Sequence, residues 1–110
     1  MAPKKYLVDL SQIDMNVVLA DQEAIEDFNP QRFEMAQMTA LVYENLEDHT
    51  CVGYKDIGEQ DFWVRGHFPE IPLMPGVIML EAIAQCCSLF CQRNDLLGAE
   101  MLGLGGLEEV

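Results

Sequence analysis

The 110-residue sequence predicts a single α+β domain that combines an antiparallel β-hairpin with one long buried helix. Two observations carry that prediction. MTALVYEN (38–45) and HTCVGYKDI (49–57) are β-rich runs separated by the short polar turn Leu46-Glu47-Asp48, so they pair as an antiparallel hairpin. The stretch from Val77 to Cys91 is apolar on nearly every side, and a helix of that kind lies inside a protein with other elements around it. A chain of this length that is 50% hydrophobic fills one modest core and covers a long helix incompletely, so self-association is expected.

In chain order, residues 1–37 mix acidic and apolar residues around a short helix expected from Asp21 to Asp27. Asn29-Pro30 should end it, because a residue preceding proline is pushed out of the helical region. Residues 1–30 read as a lead-in segment and 31–110 as the domain proper. After the hairpin, DFWVRG (61–66) reads as a third short strand. HFPEIPLM (67–74) carries Pro69 and Pro72 and is followed by Pro75, so it reads as a loop. The helix should start at Pro75-Gly76, since proline at a first helical position loses nothing by lacking an N–H, and run to about Asn94. Gly98 marks a break, and AEMLGLGGLEEV (99–110) reads as a strand with glycines at a bulge. Gly103, Gly105 and Gly106 lack GxGxxG spacing, so no phosphate-binding loop is read there.

A net charge of −13 with only six Lys and Arg argues against nucleic acid as a partner. No apolar stretch is long enough to span a bilayer or to act as a signal peptide, which points to a cytoplasmic protein without stable membrane insertion. The four cysteines, Cys51, Cys86, Cys87 and Cys91, form no CxxC pair and read as reduced. No ligand cluster points to a metal.

The chemistry is concentrated in GHFPEIPLMPGVIMLEAIAQ (66–85). The helix start at Gly76 presents free backbone N–H groups and the positive end of the helix dipole, which favour an anion or a carbonyl oxygen gaining negative charge. Glu81, Gln85, Ser88 and Gln92 are spaced by four, three and four residues and form one polar stripe along the helix. A carboxylate on a buried stripe is costly unless hydrogen-bonded, and burial favours its protonated form, which a general acid needs. His67, just upstream, is suited to proton transfer near neutral pH. His49 lacks a matching partner and reads as structural, and Glu70 reads as an exposed loop carboxylate.

This segment resembles the signature of the β-hydroxyacyl-acyl carrier protein dehydratases, the FabZ and FabA family of hotdog-fold enzymes. The resemblance rests on His67-Phe68-Pro69, Pro72, Met74-Pro75-Gly76-Val77, Glu81-Ala82 and Ala84-Gln85, and QRFEMAQMTALVYEN (31–45) is similar to the family's entry into its first strand. The family's fold is a sheet curled around a central helix, and its subunits form homodimers that in FabZ-type members assemble into trimers of dimers. The resemblance implies His67 as the catalytic histidine, Glu81 as an acidic group contributed by the other protomer, Gly76 as donor to the thioester carbonyl, and Gln85 as support for the acid. Glutamate at 81 looks more like FabZ than FabA, favouring plain dehydration.

The implied activity is that of a lyase of fatty acid biosynthesis that dehydrates a 3-hydroxyacyl thioester without a cofactor. Three elements agree with it: a base for the C2 proton, a donor to the thioester oxygen, and an acid for the departing hydroxyl. Family members continue beyond the position of Val110 with further strands that usually carry basic residues, so a fragment of a longer chain with an incomplete sheet is expected. The acidic balance leaves open whether the acyl group arrives on acyl carrier protein, met by a patch around Arg65, or on coenzyme A. An acyl-CoA thioesterase or hydratase on the same frame, and a non-catalytic acyl-binding protein, are the alternatives.

Overall fold

The structure, a computed structural model, describes residues 6–98 and 102–108. Helix α1 spans Gln22–Glu26, where the Asp21 side chain accepts from the Ala24 N–H and so caps the first turn. Single 3-10 turns occur at Leu10–Gln12 and Phe33–Met35. Strands β1 (Ala40–Asn45) and β2 (Thr50–Tyr54) form a two-stranded antiparallel sheet, and helix α2 runs Gly76–Arg93. An isolated bridge between Ala20 and Leu41 gives β1 a short neighbour, with the Leu19 N–H reaching the Leu41 carbonyl at 2.8 Å.

The hairpin carries a bulge. Leu41 faces Gly53 and Tyr43 faces Val52, so Val42 is the extra residue. Because a bulge breaks the two-residue alternation of side chains, Ala40, Leu41 and Val42 are buried in succession. The turn closes at His49, whose φ of 53° is left-handed.

Ala20, Ile25, Met38, Leu41 and Leu89 make the core, with Ala24, Cys51 and Cys86 packed against it. Two of its residues, Ala20 and Ile25, come from the segment read as a lead-in. At its C-terminal end α2 closes in a Schellman arrangement. Asp95 adopts φ 49°, its N–H bonds the Gln92 carbonyl, and the Leu96 N–H bonds the Cys91 carbonyl. The stop is therefore at Asp95, with Gly98 (φ 61°) a second left-handed residue beyond it.

Three expectations are corrected. DFWVRG is a series of turns, not a strand, since the N–H groups of Val64, Gly66 and His67 return to carbonyls three or four residues earlier. The Asp61 carboxylate holds that shape by accepting from the Gly58 N–H and pairing with Lys55. Helix α2 is not wrapped on all sides, because among its residues only Gln85, Leu89 and Phe90 are fully buried, while Val77 is 72% and Ile83 59% exposed. The strand read over 99–110 is not formed at 102–108, and its remaining positions lie outside the described residues.

Gly53 lets β2 approach α2. A Cβ there would meet Met38 Cε at 2.6 Å, the Ala40 carbonyl oxygen at 3.0 Å and Cys86 Sγ at 3.3 Å. Gly53→Ala is expected to lower stability by about 1–3 kcal/mol, read as a lower urea midpoint with an unchanged m-value.

Candidate active site

Gln85 is buried in the middle of α2, and its side chain is fully used. Its Oε1 accepts from the Gln37 N–H at 2.8 Å, while Nε2 donates to the Met35 carbonyl at 2.7 Å and to Glu81 Oε1 at 2.9 Å. A primary amide has two N–H donors, so bonding one to a backbone carbonyl aims the other at Glu81. The orientation is set by the Gln37 donor, which only an oxygen can accept. Asn29 adds a bond from its side-chain nitrogen to the Gln85 main-chain carbonyl at 3.0 Å. The loop 29–37 is in turn held by Arg32, whose guanidinium donates to the carbonyls of Glu26, Asn29 and Gln31.

Glu81 is half-buried and lines a cleft of about 380 Å³ with Gln31, Leu80, Ala84, Ser88 and Leu104. The Oε1 atom of Gln31 is buried there without a hydrogen-bond partner among the described residues. The site thus pairs a directed carboxyl group with an unused acceptor on a largely apolar wall.

His67 is organised separately. Its loop is closed by two reciprocal pairs. The Leu73 N–H bonds the His67 carbonyl at 2.7 Å, and the Phe68 and Ile71 backbones exchange two bonds of 3.0 Å. The His67 Nδ1 atom lies 2.9 Å from the Leu73 carbonyl oxygen. A carbonyl only accepts, so Nδ1 carries the proton and Nε2 of the neutral ring keeps its lone pair. The ring stacks on Phe68 at 4.2 Å. Leu73 stands three residues before Gly76, so the carbonyl gripping His67 is within about 11 Å of the helix start along the chain.

At that start, the Pro75 carbonyl takes the N–H groups of Ile78 and Met79. The Gly76 N–H makes no hydrogen bond among the described residues, and a Cβ at Gly76 would meet nothing within 4 Å. Among the described residues no hydrogen bond or ion pair joins His67 to Glu81 within the chain. Glu81 and Gln85 are brought together, whereas His67 is held through Leu73 on the loop that leads into the helix.

Sequence reasoning missed Asn29, Gln37 and Arg32. Asn29 and Gln37 meet Gln85 across 56 and 48 residues, while Arg32 bonds carbonyls within six residues of itself, and no local pattern marks any of the three. His49 is exposed in its turn and Glu70 is exposed in the loop. Among the described residues no group of three or more His, Cys, Asp or Glu is placed to hold a metal ion, and no helix is long and apolar enough to cross a membrane.

The long helix thus carries a hydrogen-bonded carboxyl group on an apolar cleft, and the loop before it carries a histidine whose Nδ1 meets a backbone carbonyl. Residues 29–105 match the model of the FabA-like domain, and the chain belongs to that family. It is 35% identical over 80 residues to the 3-hydroxyacyl-[acyl-carrier-protein] dehydratase FabZ of Francisella philomiragia, covering 73% of this chain and 49% of that protein. The FabZ of Francisella tularensis subsp. novicida is 34% identical over the same shares of the two chains. The chain spans about half the length of these curated relatives.

Replacing Gln85 by Leu strands the Gln37 N–H and the Met35 carbonyl. A loss of about 2–4 kcal/mol in unfolding free energy is expected, with Gln85→Glu recovering at most part of it because it still lacks the amide donors.

Proposed function

We propose that this chain contributes to a lyase that dehydrates a 3-hydroxyacyl thioester, carried on acyl carrier protein, to the trans-2-enoyl thioester in cytoplasmic fatty acid synthesis. The observation that carries the reading is the His67 Nδ1 contact with the Leu73 carbonyl, which leaves Nε2 basic in a loop anchored near the helix start. Kinship with FabZ dehydratases supports the substrate class.

In this mechanism Nε2 of His67 takes the C2 proton. The electron pair left on C2 delocalises into the thioester, and the Gly76 N–H stabilises the growing charge on oxygen. Collapse forms the C2–C3 double bond and breaks the C3–O bond. The hydroxyl leaves as water with a proton from Glu81, whose other oxygen is held by Gln85. Return of the proton from His67 to Glu81 resets the site. No cofactor takes part.

Because His67 and Glu81 are not joined within the chain, the reading pairs the histidine of one protomer with the glutamate of a second. The exposed Val77, Met79 and Ile83 of α2, with Ile71 and Leu73 before it, supply apolar surface for that pairing and for the sheet of a hotdog fold to cover. Arg65 faces the carrier in this scheme. Among the described cations Lys55 is paired with Asp61, Arg93 with Glu44, and Arg32 is bound to carbonyls, while Arg65 is exposed and makes no such bond.

His67→Ala and Glu81→Gln are each expected to lower turnover by about 10²–10⁴-fold, with the circular dichroism spectrum unchanged. Mass spectrometry of the acyl chain should show loss of water. Full activity in both variants, or release of free acid and thiol, would sink the assignment. Arg65→Glu is expected to raise KM for a carrier-protein substrate about ten-fold while leaving a short N-acetylcysteamine thioester unaffected, a difference of about 1.4 kcal/mol.

A further inference from the structure

Cys51 on β2 and Cys86 on α2 face one another with their sulfurs 3.7 Å apart. Cys51 Sγ also lies 4.0 Å from the Cys86 carbonyl oxygen, and either sulfur can be the donor in the contact between the two. The contact lowers the pKa of the Cys86 thiol from its ordinary value, while the same contact together with burial pushes Cys51 up. Both sulfurs line a second cleft, of about 370 Å³, with Met38, Gly53 and Ile83. Glu81 is not part of its lining, and the mechanism above uses neither thiol. Two thiols in contact beside a cleft with volume for a small oxidant have the parts of a reversible couple.

We propose that Cys51 and Cys86 form a redox-active dithiol, which a hydroperoxide converts to an intrachain disulfide tying β2 to α2. The Cys86 thiolate attacks one peroxide oxygen. The O–O bond breaks, the other oxygen leaves as water or alcohol once protonated, and Cys86 becomes a sulfenic acid. The Cys51 sulfur then attacks Cys86 Sγ, the S–O bond breaks, and the hydroxyl leaves as water with the Cys51 proton. Two thiols lose two electrons and the peroxide gains them. The sulfurs must close from 3.7 Å to about 2.05 Å for the bond to form. Cys87, exposed on the next residue of the helix, is not in this contact.

The test is graded hydrogen peroxide treatment of the full chain, followed by intact mass measurement and peptide mapping. A mass lower by two hydrogens, a peptide joining Cys51 to Cys86, and reversal by dithiothreitol are expected. In Cys51→Ser the reaction should stop at a Cys86 sulfenic acid that dimedone labels. In the Cys87→Ser, Cys91→Ser double variant the cross-link should form as before. The proposal is overturned if Cys86 pairs instead with Cys87 or Cys91, or if the only disulfides join separate chains. It also fails if Cys51 and Cys86 stay alkylatable at peroxide concentrations that fully oxidise Cys87. Mapping of the unsubstituted chain gives this answer whether or not the variants fold, and it does not depend on the dehydratase reading.

Discussion

The Gln85 amide is the interaction on which the rest of the molecule depends. Its carboxamide meets two backbone groups of the loop before β1 and one side chain of its own helix, so a single residue joins loop, helix and carboxyl group. Because the loop supplies both a donor and an acceptor, the amide cannot be flipped without losing two bonds in a buried place. A buried amide left unpaired costs about as much as a large fraction of a small domain's net stability. The geometry at Glu81 is therefore secured by folding itself.

A second constraint is the shortage of covering structure. The two-stranded sheet and loop 29–37 bury one side of α2, and the helix leaves Val77, Met79 and Ile83 in solvent. Among the described residues the core cluster is Ala20, Ile25, Met38, Leu41 and Leu89, with Leu41 and Leu89 completely enclosed. Hydrophobic burial scales with area removed from water, so any strands or second protomer that cover the other side of α2 add to stability and to the site together. The two clefts flank the helix, one with Glu81 on its wall and the other with the paired thiols, and they share only the helix residues Ile83 and Cys87.

Among the described residues, Arg32, Lys55 and Arg93 sit at structural joints of this acidic chain. Arg93 pairs with Glu44, which also accepts from Asn94, and this ties the C-terminal end of α2 to β1. Lys55 bonds Asp61 at 3.1 Å, with its ammonium 5.7 Å from the centre of the buried Trp63 ring, and so fastens the turns of 58–66 to the end of β2. Half-buried pairs of this kind are less screened than surface ones and here set the path of the chain as much as they stabilise it.

Local chemistry was legible in the sequence. The limits of α2 follow from Pro75 and from the polar residues after Arg93, α1 from its Asp21 cap, and the hairpin from two β-branched runs about a polar turn, because caps, turns and propensities act within a few residues. The polar stripe of α2 and the loop carrying His67 could be read for the same reason. Tertiary structure alone decided the bulge that buries Ala40, Leu41 and Val42 in a row, and the refusal of DFWVRG to form a strand, since each depends on whether a neighbour is present to pair. It also decided which face of α2 is buried and which polar groups hold it. Gln85 meets Gln37 across 48 residues and Met35 across 50, and Cys51 meets Cys86 across 35. No spacing within one element encodes such a meeting, because it is the packing of the whole chain that brings those groups within hydrogen-bonding distance.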